Sequence, residues 1–261
     1  MIRLIKILII FISHSFSQMF AYKTTSIFVV VFGTLFSIAE IIATQIYYSY
    51  TDTIMGWDKY NFLILLGTFS LIQYIYQFLF VLQHEEFMDK IIEGELDYDL
   101  IRPIDSQLIN SFRFLDIPSL INMIIPIGLI VYSIDKLNIK MEITLLLGYI
   151  ILIIIGVVFY YCLNQIVVSL AFWIERPGKL LGMPEYLFDL ASRPSSIYPK
   201  FLKILLVFII PVLTSTNLPV EYLTNNFNNL TTLNFIVVTL LFLIFTRWQW
   251  KRGLRKYTST S

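Results

Sequence analysis

From Ile143 to Phe172 the chain reads ITLLLGYIILIIIGVVFYYCLNQIVVSLAF, thirty residues without one acidic or basic side chain. A helix rises about 1.5 Å per residue, so roughly 20 apolar residues cross a hydrocarbon layer about 30 Å thick. This stretch exceeds that length and predicts a transmembrane helix that tilts or projects beyond the lipid. A helix on the surface of a water-soluble domain carries a charged face, and this one has none.

Moving outward, five further stretches have the same character: Ser26–Tyr48, Tyr60–Leu82, Ile117–Ile134, Phe201–Val220 and Leu233–Arg247. Composition agrees. Of the 261 residues 57% are apolar and 14% charged, where a soluble domain carries about 25% charge. The expected fold is an all-α membrane protein with six transmembrane helices, forming a single domain over 1–261.

The same composition excludes several functions. The lone cysteine, Cys162, rules out an intrachain disulfide and a cysteine zinc cluster. His14 and His84 are the only histidines, which argues against a histidine metal or acid–base centre. A net charge of +1 gives no reason to expect nucleic acid. No Gly-x-x-x-x-Gly-Lys-Ser/Thr loop is present: Gly178-Lys179 runs into Leu180 and lacks the earlier glycine. The chain therefore has no phosphate cradle for ATP, and neither a catalytic residue set, a cofactor nor a metal is expected in it.

Orientation follows from lysine and arginine, which concentrate on the cytoplasmic side of short loops. With the N-terminus inside, only Lys59, Lys136 and Lys140 fall outside, against sixteen of the 19 basic residues inside. Among those sixteen are Arg193, Lys200 and Lys203. Both termini are thus expected in the cytoplasm. Trp57, Tyr60, Trp173, Trp248 and Trp250 fall near predicted boundaries, as interfacial aromatic rings do. Ahead of the first span, Ile7–Ile12 is apolar and follows Arg3 and Lys6, but no small-residue cleavage site comes after it. Residues 1–22 are expected to form a helix lying in the membrane interface; a seventh span and a cleaved leader are the alternatives.

Two inside loops stand out. In the loop 83–116, His84–Asp116 holds nine acidic residues against Lys90, Arg102 and Arg113. Phe87, Met88, Ile91 and Ile92 fall there at helical spacing, Gly94 stops that helix, and Leu96, Leu100 and Ile101 mark a second short turn ended by Pro103. A solvated linker needs no patterned apolar face, so this one predicts docking of a soluble partner. The second loop, 173–199, carries Arg176-Pro177-Gly178-Lys179 and Arg193-Pro194-Ser195-Ser196-Ile197-Tyr198-Pro199 and reads as a linker or a short docking helix. In the fifth span Pro211 predicts a break or a re-entrant turn, tolerable only where protein satisfies the freed carbonyl. Glu40, Gln73, Gln77 and Asn164 are polar groups at membrane depth. They are candidates for a translocation path, or for interhelical hydrogen bonds worth about 0.6 kcal/mol each.

The ordered motifs resemble a known family. Gly94-Glu95-Leu96-Asp97-Tyr98-Asp99-Leu100-Ile101-Arg102-Pro103 is similar to the G-x-L-D-x-x-L-x-R-P stretch of bacterial ABC exporter permeases of the second exporter type. Phe172-Trp173, the Pro194 to Pro199 stretch, Pro211, Pro219 and the closing Trp250-Lys251-Arg252-Gly253-Leu254-Arg255-Lys256-Tyr257-Thr258-Ser259 continue the resemblance, although Thr260-Ser261 replace the usual small residue and glycine. The resemblance implies a permease in a bacterial cytoplasmic membrane, paired with itself or a related permease above an ATPase dimer that holds ATP and Mg. It also implies that Phe87, Ile91, Gly94, Leu96, Asp97, Arg102 and Pro103 form the element coupled to that ATPase, with Phe87, Met88, Ile91 and Ile92 entering its cleft. A stand-alone secondary carrier or channel is the rival reading, and a membrane enzyme or scaffold a third.

Overall fold

The computed structural model describes residues 2–174, 180 and 182–257. Arg176, Pro177, Gly178 and Lys179 of the second loop, and Thr258 to Ser261 at the end, lie outside the described residues. The described chain is mostly helical, with one short antiparallel ribbon in which Thr53 pairs with Asp58 and Ile54 with Trp57.

Five helices are long and apolar enough to cross a bilayer: Lys23–Tyr50, Lys59–Ile92, Ile117–Lys136, Ile143–Phe172 and Asn229–Lys256. They correspond to the first, second, third, fourth and sixth expected spans. A bent pair, Lys200–Ile209 and Val212–Leu223, supplies the sixth candidate, with an angle of 83° between its arms. The bundle has two ends. The hairpin end carries the connections 51–58, 137–142 and 224–228; the terminal end carries Lys23 and Lys256, at the start of the first and the end of the last span, and the acidic loop. An N-terminal helix, Ile2–Ala21, precedes the first span, and the backbone N–H of Leu115 donates to Ser15 Oγ at 2.9 Å, tying that helix to the terminal end.

The spans meet where side chains are small, as lipid-solvated helices do for lack of any hydrophobic drive between them. Gly156 of the fourth span is the clearest case. A Cβ there would lie 2.8 Å from Ile72 Cδ1 and 3.2 Å from the Ser215 carbonyl oxygen. That carbonyl is the one Pro219 deprives of a helical donor. Rings fill the interior: Phe188 stacks on Tyr160 at 4.0 Å and on Phe69 at 5.2 Å.

The break at Pro211 is as the sequence expects. Proline cannot donate to the Val207 carbonyl, and the Thr214 hydroxyl donates to it instead, at 3.0 Å. The approach to this break is not as expected. Glu185 shares a cavity with Gln77, Val81 and His84 of the second span, Phe188 stacks on Phe69, and the Ser196 hydroxyl donates to the Met55 carbonyl at 3.2 Å. Contacts thus progress along the second span from its terminal end to the hairpin end. Lys203 also lies close enough to Glu221 for their charges to interact, and Glu221 shares a cavity with Gly56, Trp57 and Thr224 at the hairpin end. The expectation of a second cytoplasmic loop over 173–199 is therefore corrected for its later part: residues 182–199 run along the side of the bundle, with Pro184, Phe188, Ala191 and Pro194 buried against it and Glu185, Tyr186, Asp189 and Arg193 exposed. Arg193, Lys200 and Lys203 lie toward the hairpin end. The fifth passage is composite, running from Gly182 to Leu223.

Candidate functional site

The acidic loop is an extension of the second span. A π-helical turn, Gln77–Val81, leads into the helix Leu82–Ile92. Gly94 ends that helix with φ 74°, a left-handed conformation that strains any residue with a Cβ. The chain then makes a short helix, Leu96–Leu100, and a second one, Ser106–Phe112, whose first turn is capped by Asp105 Oδ1 accepting from the N–H of Gln107 and Leu108 at 3.0 and 3.3 Å.

Gly94 turns the chain so that Leu96 falls beside Phe87. Both are buried, at 0% and 1% exposure, in one cluster with Val168, Ala171, Phe172 and Trp250, flanked by Met88, Ile91, Leu254 and Tyr257. Ring centroids of Phe87 and Trp250 are 4.9 Å apart, and those of Phe87 and Phe172 are 5.5 Å apart. Gly253 is required because a Cβ at that position would overlap the Phe172 ring. Three stretches far apart in sequence, 94–103, 172–173 and 250–259, contribute residues to this cluster.

This arrangement corrects two expectations. The face of Phe87 and Ile91 that the sequence directs toward a partner packs inside the chain, because the fourth and sixth spans extend far enough to cover it. Trp250, expected at an interfacial belt, is a core residue whose indole N–H donates to Ser106 Oγ at 3.2 Å. Of the apolar positions that the sequence directs toward a partner, Ile92, Leu100 and Ile101 are left open, with Tyr98 beside them; Tyr98 is 68% and Ile101 80% exposed. Glu93 and Glu95 stand exposed beside it.

Polar contacts fix the loop to the bundle. Arg247 of the sixth span donates from Nη1 to Asp105 Oδ1 and to Gln107 Oε1, each at 2.9 Å, and from Nη2 to Asp105 Oδ2. These bonds hold the Asp105 carboxyl below its ordinary value. Buried Lys90 donates to Gln83 Oε1 at 3.2 Å and to Asn110 Oδ1 at 3.4 Å. Asp99, buried, faces Arg102 at 3.8 Å and Arg113 at 3.7 Å, and its two carboxylate oxygens accept no hydrogen bond. Pro103 is exposed at the turn and Asp97 half-buried.

The candidate path residues do not all converge. Gln77 and Asn164 line one cavity of ≈ 320 Å³, together with Tyr76, His84, Glu85, Tyr160 and Glu185. His84 closes its wall, bonded to the Tyr76 hydroxyl at 2.9 Å and to Gln165 Oε1 at 3.1 Å. Gln73 is half-buried one turn away. Glu40 sits on the open face of the first span, within electrostatic reach of Asp189 and Arg193. Sequence reasoning missed Glu185, Asp189 and Arg193 because only the packing of 182–199 along the second span brings them beside the transmembrane helices. Asn217 fixes that packing: Ser195 N–H donates to Asn217 Oδ1 at 2.8 Å, and Asn217 Nδ2 donates to the Arg193 carbonyl at 3.3 Å. Among the described residues no cluster of His, Cys, Asp and Glu could hold a metal ion.

The family model described as ABC-2 family transporter protein matches residues 28–261. No curated protein and no solved structure matches the chain.

Proposed function

Because the chain belongs to the ABC-2 family of transporter proteins, we propose that it is the permease of an exporter driven by a separate ATPase. Family membership makes it the membrane component of an ABC transporter, not itself catalytic, and implies an ATPase partner. In this reading ATP and Mg bind to that partner. The terminal end faces the cytoplasm of a bacterium, the helix Ile2–Ala21 lies in the inner interface, and two permeases, identical or related, stand side by side.

The observation that carries the reading is the seating of the acidic loop. A surface that receives force must be exposed on one side and firmly held on the other. Tyr98, Leu100 and Ile101 are exposed, while Leu96, on the same short helix, is buried against Phe87, Phe172 and Trp250. Arg247 links the next helix of the loop directly to the sixth span. Displacement of the exposed side by a closing ATPase pair is therefore passed to the second, fourth and sixth spans together. Gly94, Asp97, Arg102 and Pro103 shape this element; Phe87, Ile91 and Leu96 anchor it from within. Cargo would pass along the composite fifth passage, where Gln77 and Asn164 face the ≈ 320 Å³ cavity and Glu40 and Gln73 lie further on.

A photo-crosslinking residue placed at Ile101 tests this in native membranes. A cross-link to a soluble protein bearing a phosphate-binding loop is expected, and the same probe at Phe87 should give none. Capture from Phe87 but not from Ile101 would contradict the assignment.

A further inference from the structure

We propose that the groove between the second, fourth and sixth spans at the terminal end is a binding site for an anionic phospholipid. The groove has a volume of ≈ 500 Å³ and is walled by Phe80, Phe112, Val158 and Leu243, with Tyr161, Thr246, Gln107 and the ion pair of Asp105 and Arg247 completing its lining. Leu108 stands exposed beside it.

Its polarity has a direction. The fourth span goes from Val158 to Tyr161 and the sixth from Leu243 through Thr246 to Arg247, both running toward the terminal end. Each wall is therefore apolar at depth and polar at the rim. A phospholipid has that same gradient, with acyl chain below and phosphate above; a free anion has no use for the apolar part. Basic pockets between transmembrane helices are a recurrent way of holding acidic headgroups.

The charge at the rim selects the headgroup. Arg247 lies one turn beyond Leu243, and Lys251 and Arg255 follow it at one-turn steps up the helix beyond the groove's lining; Lys251 and Arg255 are exposed. The carboxylate of Asp105 offsets one of these three cations. A guanidinium has five N–H donors, and the contacts to Asp105 and Gln107 use three of them. Two donors stay free for a phosphate oxygen while the loop stays bonded. This inference does not depend on the transport reading.

The test is lipid retention. Full-length chain is reconstituted in nanodiscs of equal phosphatidylglycerol and phosphatidylcholine, extracted in mild detergent, and the lipid that stays bound is identified by mass spectrometry. Basic side chains attract anionic lipid strongly enough to enrich it roughly fivefold per residue near the surface, so phosphatidylglycerol is expected in at least that excess. Millimolar inorganic phosphate should not displace it. Val158→Trp, which fills the groove, should abolish retention, and the pair Lys251→Gln and Arg255→Gln should bring the two lipids to near parity. Equal retention of both lipids by the unaltered chain would overturn the proposal, as would displacement by phosphate or undiminished retention in Val158→Trp. Should Val158→Trp fail to fold, undiminished preference in the double variant overturns it alone.

Discussion

Truncating Phe87 to alanine should loosen the acidic loop from the bundle, whereas truncating Ile101 should not. Phe87 is 1% exposed and packs on Phe172 and Trp250. Removing a buried phenylalanine costs about 3–5 kcal/mol, and every 1.4 kcal/mol is about tenfold in an equilibrium. Opening of the segment 87–105 should therefore become at least about a hundredfold more frequent. Ile101, at 80% exposure, loses little contact on truncation, so the change there should stay within about 0.5 kcal/mol. Amide hydrogen exchange over 87–105 in the purified, detergent-solubilised chain reads both directly. Partner binding should move the other way: Ile101→Ala weakens association with the ATPase while leaving exchange untouched. If Phe87→Ala left exchange unchanged and only weakened association, Phe87 would be a contact residue and the packing argument would fail.

Three further outcomes follow from the geometry. Asp105 has its carboxyl held below the ordinary value mainly by Arg247; a depressed carboxylate stabilises above its unfolded value and loses that contribution as pH falls through its folded one. Exchange protection of 105–112 should hold at neutral pH, fall as pH drops below the usual aspartate range, and lose this dependence in Asp105→Asn. Gly156→Ala forces a methyl against Ile72 and the Ser215 carbonyl, a strain of about 1–3 kcal/mol; thermal unfolding in nanodiscs should show a lower midpoint, partly restored by Ile72→Val. Thr214→Val leaves the Val207 carbonyl without its hydroxyl donor, and a midpoint drop comparable to an interhelical hydrogen bond of about 0.6–1.7 kcal/mol is expected; no drop would mean that another donor serves that carbonyl.

The spans were readable because lipid imposes length and apolarity on each crossing helix separately, and Ile143–Phe172 states both without help from the rest of the chain. The break at Pro211 was readable for a similar reason, since a missing N–H is a local fact. What the sequence could not yield depends on which side of a helix is covered. Phe87 and Ile91 form a stripe that suits a partner and an internal neighbour equally; only the reach of the sixth span, with Trp250 and Gly253, decides between them. Arg193, Lys200 and Lys203 misled the inside count because each rule for basic residues assumes that a loop stays at one end of the bundle. The contacts through Asn217 lay this one along the bundle's side. The stretch from Gly94 to Pro103 was singled out by motif, and its seat was not, because a list of motifs carries no contact between residue 96 and residue 250.

ATP hydrolysis by the assembled complex tests the central claim most directly. The chain is purified with its ATPase in nanodiscs, and hydrolysis is compared between the unaltered complex and one carrying Tyr98→Asp and Ile101→Asp. The account predicts an active complex that loses coupled hydrolysis when the exposed face of the loop is charged, while the chain still inserts and keeps its exchange protection over 87–105. Hydrolysis at the unaltered rate in the double variant, with the ATPase still bound, would contradict it.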